Sequence, residues 1–256
     1  MPARGWSALG RNIIIVDDYL TMSQAAAQAV IQQIKKDKNT VLGLPTGKTP
    51  IGLYKALVRA VKQEAVSFKG VRAFILDEYV GLAKNDKASY HFFMQDKLFG
   101  KVDIKKENIF MPDGQAEDLT GECLRYESLI KKSGGIDLLV LGIGLNGHLA
   151  FNEPGSDFDS KTRVVKLKAE TRRVNAVNFT KPEQMPSSAI TIGLGTIMKA
   201  EKIILMASGE KKAKIIKRAL TGKITGAVPA SILQKHKNLT VILDKDAAKH
   251  LVTHSA

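Results

Sequence analysis

The chain has 256 residues, and 44% of them are hydrophobic, which is enough for an ordinary packed core. Its single cysteine, Cys123, excludes an intrachain disulfide and a cysteine zinc cluster, so we expect a reducing compartment and a cytoplasmic protein. The apolar runs are too short to span a bilayer and no signal-peptide pattern is present, so no membrane partner is expected. The net charge of +14 favours anionic ligands. Because the lysines are spread over predicted helix faces, we expect a small anionic ligand and no nucleic acid.

Alternating apolar patterns along the chain predict the fold. Residues 1–11 lack periodicity and are predicted to be an N-terminal tail, whereas residues 12–256 form one predicted domain. The predicted strands are 12–16, 40–44, 68–76, an apolar run that begins at 136, 163–167, 202–207 and 239–243. The predicted helices are 24–36, a segment after Pro50 that ends near 63, 88–99, 118–132 and 209–220. Because strands and helices alternate, we predict an α/β fold with one open, mostly parallel, Rossmann-like sheet and helices on both faces.

The apolar run that begins at Ile136 ends in glycines and is followed by a loop that contains Asn146, His148 and Glu153. Ligands of open α/β sheets bind outside the carboxyl ends of the strands, so this loop is a candidate site. Residues 142–147 also match the dinucleotide pattern G-x-G-x-x-G. That pattern requires a helix at its third glycine, and Pro154 instead indicates a turn. We therefore prefer a polar loop to a dinucleotide site.

A second candidate loop, 45–50, lies between a predicted strand and a predicted helix and contains Thr46, Gly47, Lys48 and Thr49. Backbone amides at the start of a helix bind anions, and hydroxyl and ammonium groups add donors. A Walker-A loop would require glycine at position 42, where this chain has Leu42. A nucleotide site and a turn without a ligand remain alternatives. We prefer a cradle for a single phosphate.

Two adjacent carboxylates, Asp77 and Glu78, follow a predicted buried strand. Both cannot continue the buried face, so one is expected to point into the crevice. Burial would raise its pKa toward the range of a general base. The alternative is that Asp77 merely caps a turn.

Four motifs together resemble the glucosamine-6-phosphate deaminases (isomerases), over about residues 12–248. The motifs are Leu44-Pro-Thr-Gly-Lys-Thr-Pro50, Leu76-Asp-Glu-Tyr-Val-Gly-Leu82, the segment 142–154 and Pro229-Ala-Ser231. The Asp-Glu-Tyr and Asn-Gly-His…Asn-Glu-Pro pieces distinguish this family from the 6-phosphogluconolactonases, which share its fold.

The resemblance implies a hydrolase of amino-sugar catabolism that isomerises and deaminates D-glucosamine 6-phosphate to D-fructose 6-phosphate and ammonia, without a metal or organic cofactor. Asp77 would move the proton from C2 to C1, and His148 would open the sugar ring. Glu153 would orient the imidazole, and Asn146, which is Asp in some members, would bond the histidine or the substrate. Lys212 matches a phosphate-binding lysine of the family.

Several positions depart from the family pattern. Lys48 stands where the family usually has Gly or Ser, and Val177 stands where it has a phosphate-binding Arg. We expect Lys48 and Lys212 to replace that arginine. Allosteric members bind a second sugar phosphate with residues that include a lysine where this chain has Val165, so we expect no activation and a monomer or weak oligomer. The alternatives are a deaminase of galactosamine 6-phosphate and a sugar-phosphate sensor without catalysis.

Overall fold

The strands of the chain form two sheets. The computed structural model describes residues 4–8, 11–176, 179 and 185–251. In chain order the strands are β1 (Arg4–Ala8), β2 (Arg11–Val16), β3 (Val41–Leu44), β4 (Arg72–Ile75), β5 (Asp77–Tyr79), β6 (Ile109–Phe110), β7 (Leu138–Leu141), β8 (Arg163–Lys166), β9 (Ser188–Thr191), β10 (Lys202–Ala207) and β11 (Leu239–Asp244). The helices are α1 (Tyr19–Lys36), α2 (Ile51–Lys62), α3 (Tyr90–Lys97), α4 (Leu119–Lys132), α5 (Ala169–Asn175), α6 (Leu194–Ile197), α7 (Ala213–Thr221) and α8 (Lys245–Ala248). Among the described residues, short 3₁₀ turns also occur at 99–101, 106–108, 210–212 and 229–235.

The larger sheet has the strand order β1-β2-β11-β10-β7-β3-β4-β6. All neighbouring pairs in it are parallel except β1 with β2, which confirms the predicted open, mostly parallel sheet. One member of the antiparallel pair, β2, is the predicted strand 12–16, whereas the other, β1, lies in the segment that was predicted to be a tail. Residues 4–8 form an edge strand there rather than a tail, because the backbone of β2 offers them a free edge to pair with.

Alternating side chains divide the sheet's apolar residues between two cores. On β7, Leu138 and Val140 belong to a core with residues of α1, α2 and α3, whereas Leu139 and Leu141 belong to a core with residues of α4, α6, α7 and α8. Successive side chains of a strand point to opposite faces, so a strand covered on both faces must be apolar throughout. This explains why the central strands are continuous apolar runs, and it confirms the prediction that helices cover both faces.

The strand order reverses between β3 and β7. From β3 the chain adds β4 and then β6 on one side, and later places β7, β10 and β11 on the other side. Connections leave this point in opposite directions, which opens a crevice between the loops that follow β3 and β7. The two candidate loops, 45–50 and 142–154, therefore flank the same crevice.

The smaller sheet is antiparallel, has the order β5-β9-β8, and was not predicted. The predicted strand 68–76 is shorter than expected at its start, because Phe68 to Val71 forms a turn closed by a 3.0 Å hydrogen bond from the Val71 amide to the Phe68 carbonyl. Asp77 was expected at the end of this strand. It instead begins β5, where it pairs with Thr191 of β9.

Helix starts follow capping chemistry more closely than apolar periodicity. Helix α1 begins before the predicted Gln24, because the Asp18 carboxylate accepts a 2.8 Å hydrogen bond from the Thr21 amide and caps the helix there. Helix α5 lies in a segment that was predicted only to be polar. Within the described ranges, none of the helices combines the length and the apolar character that crossing a bilayer requires.

Candidate active site

Four segments that carry candidate residues leave the same edge of the larger sheet. They follow β4, β3, β7 and β10, which are neighbours in the sheet and run parallel. The loops after β3 and β7 lie close together, since a methyl group placed on Gly142 would lie 3.9 Å from the Thr49 side chain. The carboxyl edge of the sheet therefore gathers all the predicted site segments.

Asp77 is a buried carboxyl, with 6% of its surface exposed. Its Oδ1 atom has no hydrogen-bond partner among the described residues. Burial, and secondly the charge of Glu78, raises the pKa of Asp77 to about 8, while the nearby Thr46 side chain opposes the rise. This agrees with the predicted direction. A carboxyl group with an unpartnered oxygen and a pKa in this range suits a general base better than a turn cap.

Glu78 points away from Asp77 and serves the structure of α3. Its carboxylate accepts hydrogen bonds from the backbone amides of Tyr90 at 3.0 Å and His91 at 2.9 Å, and lies 3.0 Å from Nδ1 of His91. These amides belong to the first turn of α3, where helix amides lack partners within the helix. Glu78 therefore anchors the start of α3, and Asp77 is the member of the pair whose carboxyl keeps an oxygen without a hydrogen-bond partner among the described residues.

His148, Asn146 and Glu153 form one hydrogen-bonded group. Asn146 donates through Nδ2 to Glu153 Oε2 at 2.6 Å, and its Oδ1 lies 2.8 Å from Nδ1 of His148. The distance from His148 Nδ1 to Glu153 Oε2 is 3.8 Å, which is too long for a hydrogen bond. Because the amide oxygen only accepts, Nδ1 carries the ring proton and Nε2 carries the lone pair. The expected direct orientation of the imidazole by Glu153 therefore runs through Asn146.

The loop that holds His148 depends on a glycine. A methyl group on Gly144 would lie 2.1 to 2.4 Å from atoms of the His148 ring, and the Gly144 amide donates to the His148 carbonyl at 2.9 Å. Ala150 has φ of 51°, a left-handed conformation that non-glycine residues seldom adopt. No helix follows Gly147 before Pro154, so the dinucleotide interpretation is excluded by the local structure.

The Asp77 segment and the His148 segment meet at β9. Thr191, the partner of Asp77 across the β5–β9 pair, accepts a 3.1 Å hydrogen bond on Oγ1 from the Phe151 amide. The rings of Phe151 and Tyr79 lie 5.6 Å apart, centroid to centroid. Thr191 and the contact between Phe151 and Tyr79 thus hold the segments of Asp77 and His148 in a fixed relative position.

The loop after β3 is held by a residue that the sequence did not single out. The Tyr19 hydroxyl lies 3.1 Å from the Thr49 carbonyl and accepts a 2.8 Å hydrogen bond from the Gly52 amide at the start of α2. Gly47 has φ of +92°, and the Lys48 side chain is exposed. These contacts hold the loop through its backbone and use none of its own hydroxyl or ammonium groups.

Lys212 joins the loops that follow β10 and β7. Its ammonium group donates to the Ile143 carbonyl at 2.5 Å, and burial lowers its pKa. A lysine ammonium has three donors, so this bond leaves donors for a ligand. Val177 stands where the family has a phosphate-binding arginine, and this is why lysines were expected to replace that arginine. Val177 lies outside the described residues.

Several polar contacts of the site come from residues that no motif indicated. Thr171 on α5 donates to the other oxygen of Glu153, a very short contact across eighteen positions of sequence. Arg163 donates to Asn152 at 2.8 Å and to Ser156 at 3.2 Å. Among the described residues, no three His, Cys, Asp or Glu side chains are placed to hold a metal ion. Only the fold could have revealed these pairings, because each joins residues on different elements.

Comparison with known proteins identifies the family. A family model described as glucosamine-6-phosphate isomerases/6-phosphogluconolactonase matches residues 18–242. A glucosamine-6-phosphate deaminase of Thermoanaerobacter sp. (strain X514) is 50% identical over 236 residues, which are 92% of this chain and 93% of the relative. One from Clostridium botulinum (strain Eklund 17B / Type B) is 48% identical over 239 residues, which are 93% and 96% of the two chains.

Solved structures agree with this assignment. A structure described as a monomeric glucosamine-6-phosphate deaminase has a TM-score of 0.91 and 42% identity, and the match covers 93% of this chain and 99% of that one. The 6-phosphogluconolactonase of Trypanosoma brucei has a TM-score of 0.73 and 21% identity, with 94% and 98% covered, and this likeness shows the fold alone. The resemblance expected from the four motifs is confirmed: the chain belongs to the glucosamine-6-phosphate isomerase/6-phosphogluconolactonase family.

Proposed function

We propose that this protein is a glucosamine-6-phosphate deaminase, which converts D-glucosamine 6-phosphate and water into D-fructose 6-phosphate and ammonia. The observation that carries the proposal is the buried carboxyl of Asp77, which has one unpartnered oxygen and lies at the sheet edge that also bears the His148 group. A lactonase does not need a base that removes a proton from a carbon atom. An isomerising deaminase does, because it must move a proton between two carbon atoms of its substrate.

The first chemical step opens the sugar ring. His148 transfers a proton from the anomeric hydroxyl to the ring oxygen through Nε2, since Nδ1 faces the Asn146 oxygen. Glu153 accepts the Asn146 amide hydrogen and is held in turn by Thr171. Glu153 therefore holds the Asn146 amide in place, and Asn146 fixes the tautomer of His148. The uncharged Asn146 relays this orientation from the carboxylate to the ring.

The second step is proton transfer by Asp77. The carboxylate removes the C2 proton of the open-chain aldehyde and forms an enolamine, then returns the proton to C1 to give an imine at C2. Water adds to that carbon, and the C–N bond breaks with release of ammonia and the ketose. Because C1 and C2 are adjacent, one carboxylate oxygen on one face of the sugar serves both transfers.

The phosphate site is proposed at the loop after β3. Thr46, Gly47, Lys48 and Thr49 supply amide, hydroxyl and ammonium donors, and Lys212 supplies a second ammonium from the loop after β10. We place Lys48 and Lys212 in the role that an arginine has in the family pattern.

Residues outside the proposed catalytic and phosphate-binding groups bear on regulation and assembly. Arg163 donates hydrogen bonds to Asn152 and to Ser156 within the chain, and Val165 offers no charge to a second sugar phosphate. We therefore propose an enzyme without activation by an N-acetylated sugar phosphate, a monomer or weak oligomer that acts in the cytoplasm. Sedimentation of the protein over a range of concentrations, with and without that sugar phosphate, tests both points.

A substrate panel tests the function. The purified protein should release ammonia and form a 2-ketose 6-phosphate from glucosamine 6-phosphate, and it should leave 6-phosphogluconolactone unchanged beyond the spontaneous rate. Faster turnover of galactosamine 6-phosphate would change the assigned substrate. Tight binding of either sugar with no ammonia release would favour a sensor and contradict the proposal.

A further inference from the structure

A cavity of about 580 Å³ lies at the amino edge of the larger sheet, opposite the edge that carries the candidate active site. It is lined by the first residues of the neighbouring strands β2, β11, β10 and β7 and by the C-terminal half of α1. Its volume is within the range of small-molecule sites and leaves room for an organic molecule rather than a single ion. We call it the amino-edge cavity.

The charges that line the amino-edge cavity are all positive. Lys36 ends α1, Lys202 begins β10 and Lys237 precedes β11. No aspartate or glutamate lines the cavity, and among the described residues none of these three ammonium groups forms an ion pair. Cations gathered in a concave site without counter-charges attract anionic ligands.

Lys202 is held in place from inside the protein. Its ammonium group donates to Gln33 Oε1 at 2.9 Å, and Gln33 Nε2 donates to the Thr40 hydroxyl at 3.0 Å. The Asp137 carboxylate accepts hydrogen bonds from Thr40 at 3.0 Å and from the Val41 amide at 2.7 Å, and it does not line the cavity. An ammonium group has three donors, so Lys202 keeps two for a ligand.

Uncharged polar groups lie among the lysines. Asn12, Gln32 and Asn238 are exposed, Thr240 is half-buried, and Asn238 uses one amide hydrogen on the Glu201 carbonyl at 3.0 Å. Amide side chains both donate and accept, so they suit the hydroxyl groups of a ligand. No aromatic side chain lines the cavity, so a nucleic-acid strand would find no surface on which to stack its bases.

Two nearby features oppose an anion. The last carbonyl groups of α1 place partial negative charge at this end of the helix, and Glu201 is an exposed carboxylate next to Lys202. Single contacts of exposed lysines also contribute little in water. A ligand must therefore contact several of the lysines at once, which requires two or more negative charges on one molecule.

We propose that the amino-edge cavity binds a small organic phosphate that carries two or more negative charges and several hydroxyl groups. Its phosphate groups contact Lys36, Lys202 and Lys237, and its hydroxyl groups contact the amide side chains. The cavity and the candidate active site lie at opposite ends of β7 and β10, so the proposal does not rest on the deaminase function.

Calorimetric titration of the full chain with fructose 1,6-bisphosphate, ADP and inorganic phosphate tests the proposal. The bisphosphate should bind more tightly than inorganic phosphate. Lys202→Met should raise its Kd about 10-fold or more, the scale of a hydrogen bond to a charged group. The double variant Lys36→Met/Lys237→Met should raise its Kd about 3- to 10-fold, since both side chains are exposed. This double variant decides the result if the loss of the bond to Gln33 prevents Lys202→Met from folding.

Matched variants separate the cavity from the protein's overall charge and from the proposed phosphate cradle. Lys35→Met/Lys235→Met removes the same charge from exposed neighbours that do not line the cavity, and it should leave the Kd nearly unchanged. Lys212→Met, at the opposite edge of the sheet, should also leave it nearly unchanged.

The three probes distinguish the possible sources of the ligand. Tighter binding of ADP than of the bisphosphate, with the same dependence on the lining lysines, would keep the proposal and make a nucleotide the ligand. Affinity for both no greater than for inorganic phosphate would overturn the proposal. Equal losses in the lining and control variants, or a loss confined to Lys212→Met, would overturn it as well.

Amide resonances of Asn12 and Thr240 should shift on addition of the bisphosphate, which locates the bound molecule by NMR independently of the variants. Shifts confined to the loops after β3 and β7 would place binding at the other edge of the sheet and contradict the proposal.

Discussion

Asn146 donates its side-chain amide hydrogen to Glu153 across 2.6 Å, and this bond carries the orientation of His148. The carboxylate itself stays 3.8 Å from the imidazole Nδ1, so a neutral amide separates the negative charge from the ring. The arrangement keeps the tautomer fixed through an uncharged group.

Replacing the amide with a carboxylate should change the charge state of His148. In Asn146→Asp, the new carboxylate would lie against the imidazole and raise the His148 pKa, because an opposite charge nearby favours the protonated ring. We expect the His148 midpoint, followed by NMR of the ring, to rise by about one pH unit or more. Asn146→Ser, which adds no charge, is the control. An unchanged midpoint in Asn146→Asp would contradict the assigned geometry.

Two glycines of the same loop should differ sharply in their tolerance of alanine. Gly144→Ala would place a methyl group within 2.4 Å of the His148 ring and displace it, whereas in Gly142→Ala the nearest side chain is 3.9 Å away. We expect Gly144→Ala to lower kcat by about 10²- to 10⁴-fold, the usual contribution of a general acid–base group. Gly142→Ala should stay within a few-fold of the wild type. Equal kinetics for the two variants would show that the ring position does not matter.

The phosphate cradle predicts effects confined to phosphorylated substrates. Lys212→Met should raise KM for glucosamine 6-phosphate about 10- to 150-fold, which corresponds to about 1.5–3 kcal/mol for a hydrogen bond to a charged group. Lys48→Gly should raise KM in the same direction. Lys211→Met, an exposed neighbour of Lys212, serves as the control.

Glucosamine without the phosphate separates this effect from general damage. The wild type, Lys212→Met and Lys48→Gly should process that poor substrate with similar kcat/KM. An unchanged KM for glucosamine 6-phosphate in Lys48→Gly would leave Lys212 alone in the role proposed for the pair.

The raised pKa of Asp77 has a consequence for stability. The folded-state value is about 8 against an ordinary value of 3.8, so between these pH values the folded protein binds this proton more tightly than the unfolded chain does. The free energy of unfolding therefore falls as pH rises through this window, and the loss is complete above pH 8. Asp77→Asn removes the titration and should be more stable than the wild type at pH 8.5, by about 1–3 kcal/mol, but not at pH 4.

Thermal melts of both proteins at several pH values measure this difference. Asp159→Asn, at an exposed carboxylate, should show a difference in Tm that does not vary with pH. A difference for Asp77→Asn that is equally flat would mean that Asp77 ionises as readily in the folded protein as in the unfolded chain.

The sequence predicted the location of the site better than the contacts that connect its residues. Apolar runs that end in glycine or in acidic residues mark the carboxyl ends of buried strands, and the parallel sheet then brings Asp77, His148 and the loop at 45–50 to one edge. The prediction failed where a new element begins without a break in composition. Asp77 follows an apolar segment directly, so its membership of a second, antiparallel sheet left no signal in the pattern.

Contacts between distant elements were also beyond the reach of sequence patterns. Thr171, Asn175 and Tyr19 belong to no motif in the sequence, and only packing brings them to Glu153, Tyr79 and the phosphate loop. The indirect link from Glu153 to His148 was missed for a similar reason. Spacing places the two residues in one loop, but a difference of about 1 Å decides whether a hydrogen bond forms between them.

The most direct test of the whole account is ammonia release from glucosamine 6-phosphate by Asp77→Asn, measured beside calorimetric binding of the same sugar. If Asp77 is the base that moves the C2 proton, the variant should bind the sugar within a few-fold of the wild-type Kd and lose about 10²- to 10⁴-fold in kcat. Turnover within a few-fold of the wild type, with binding intact, would contradict the account.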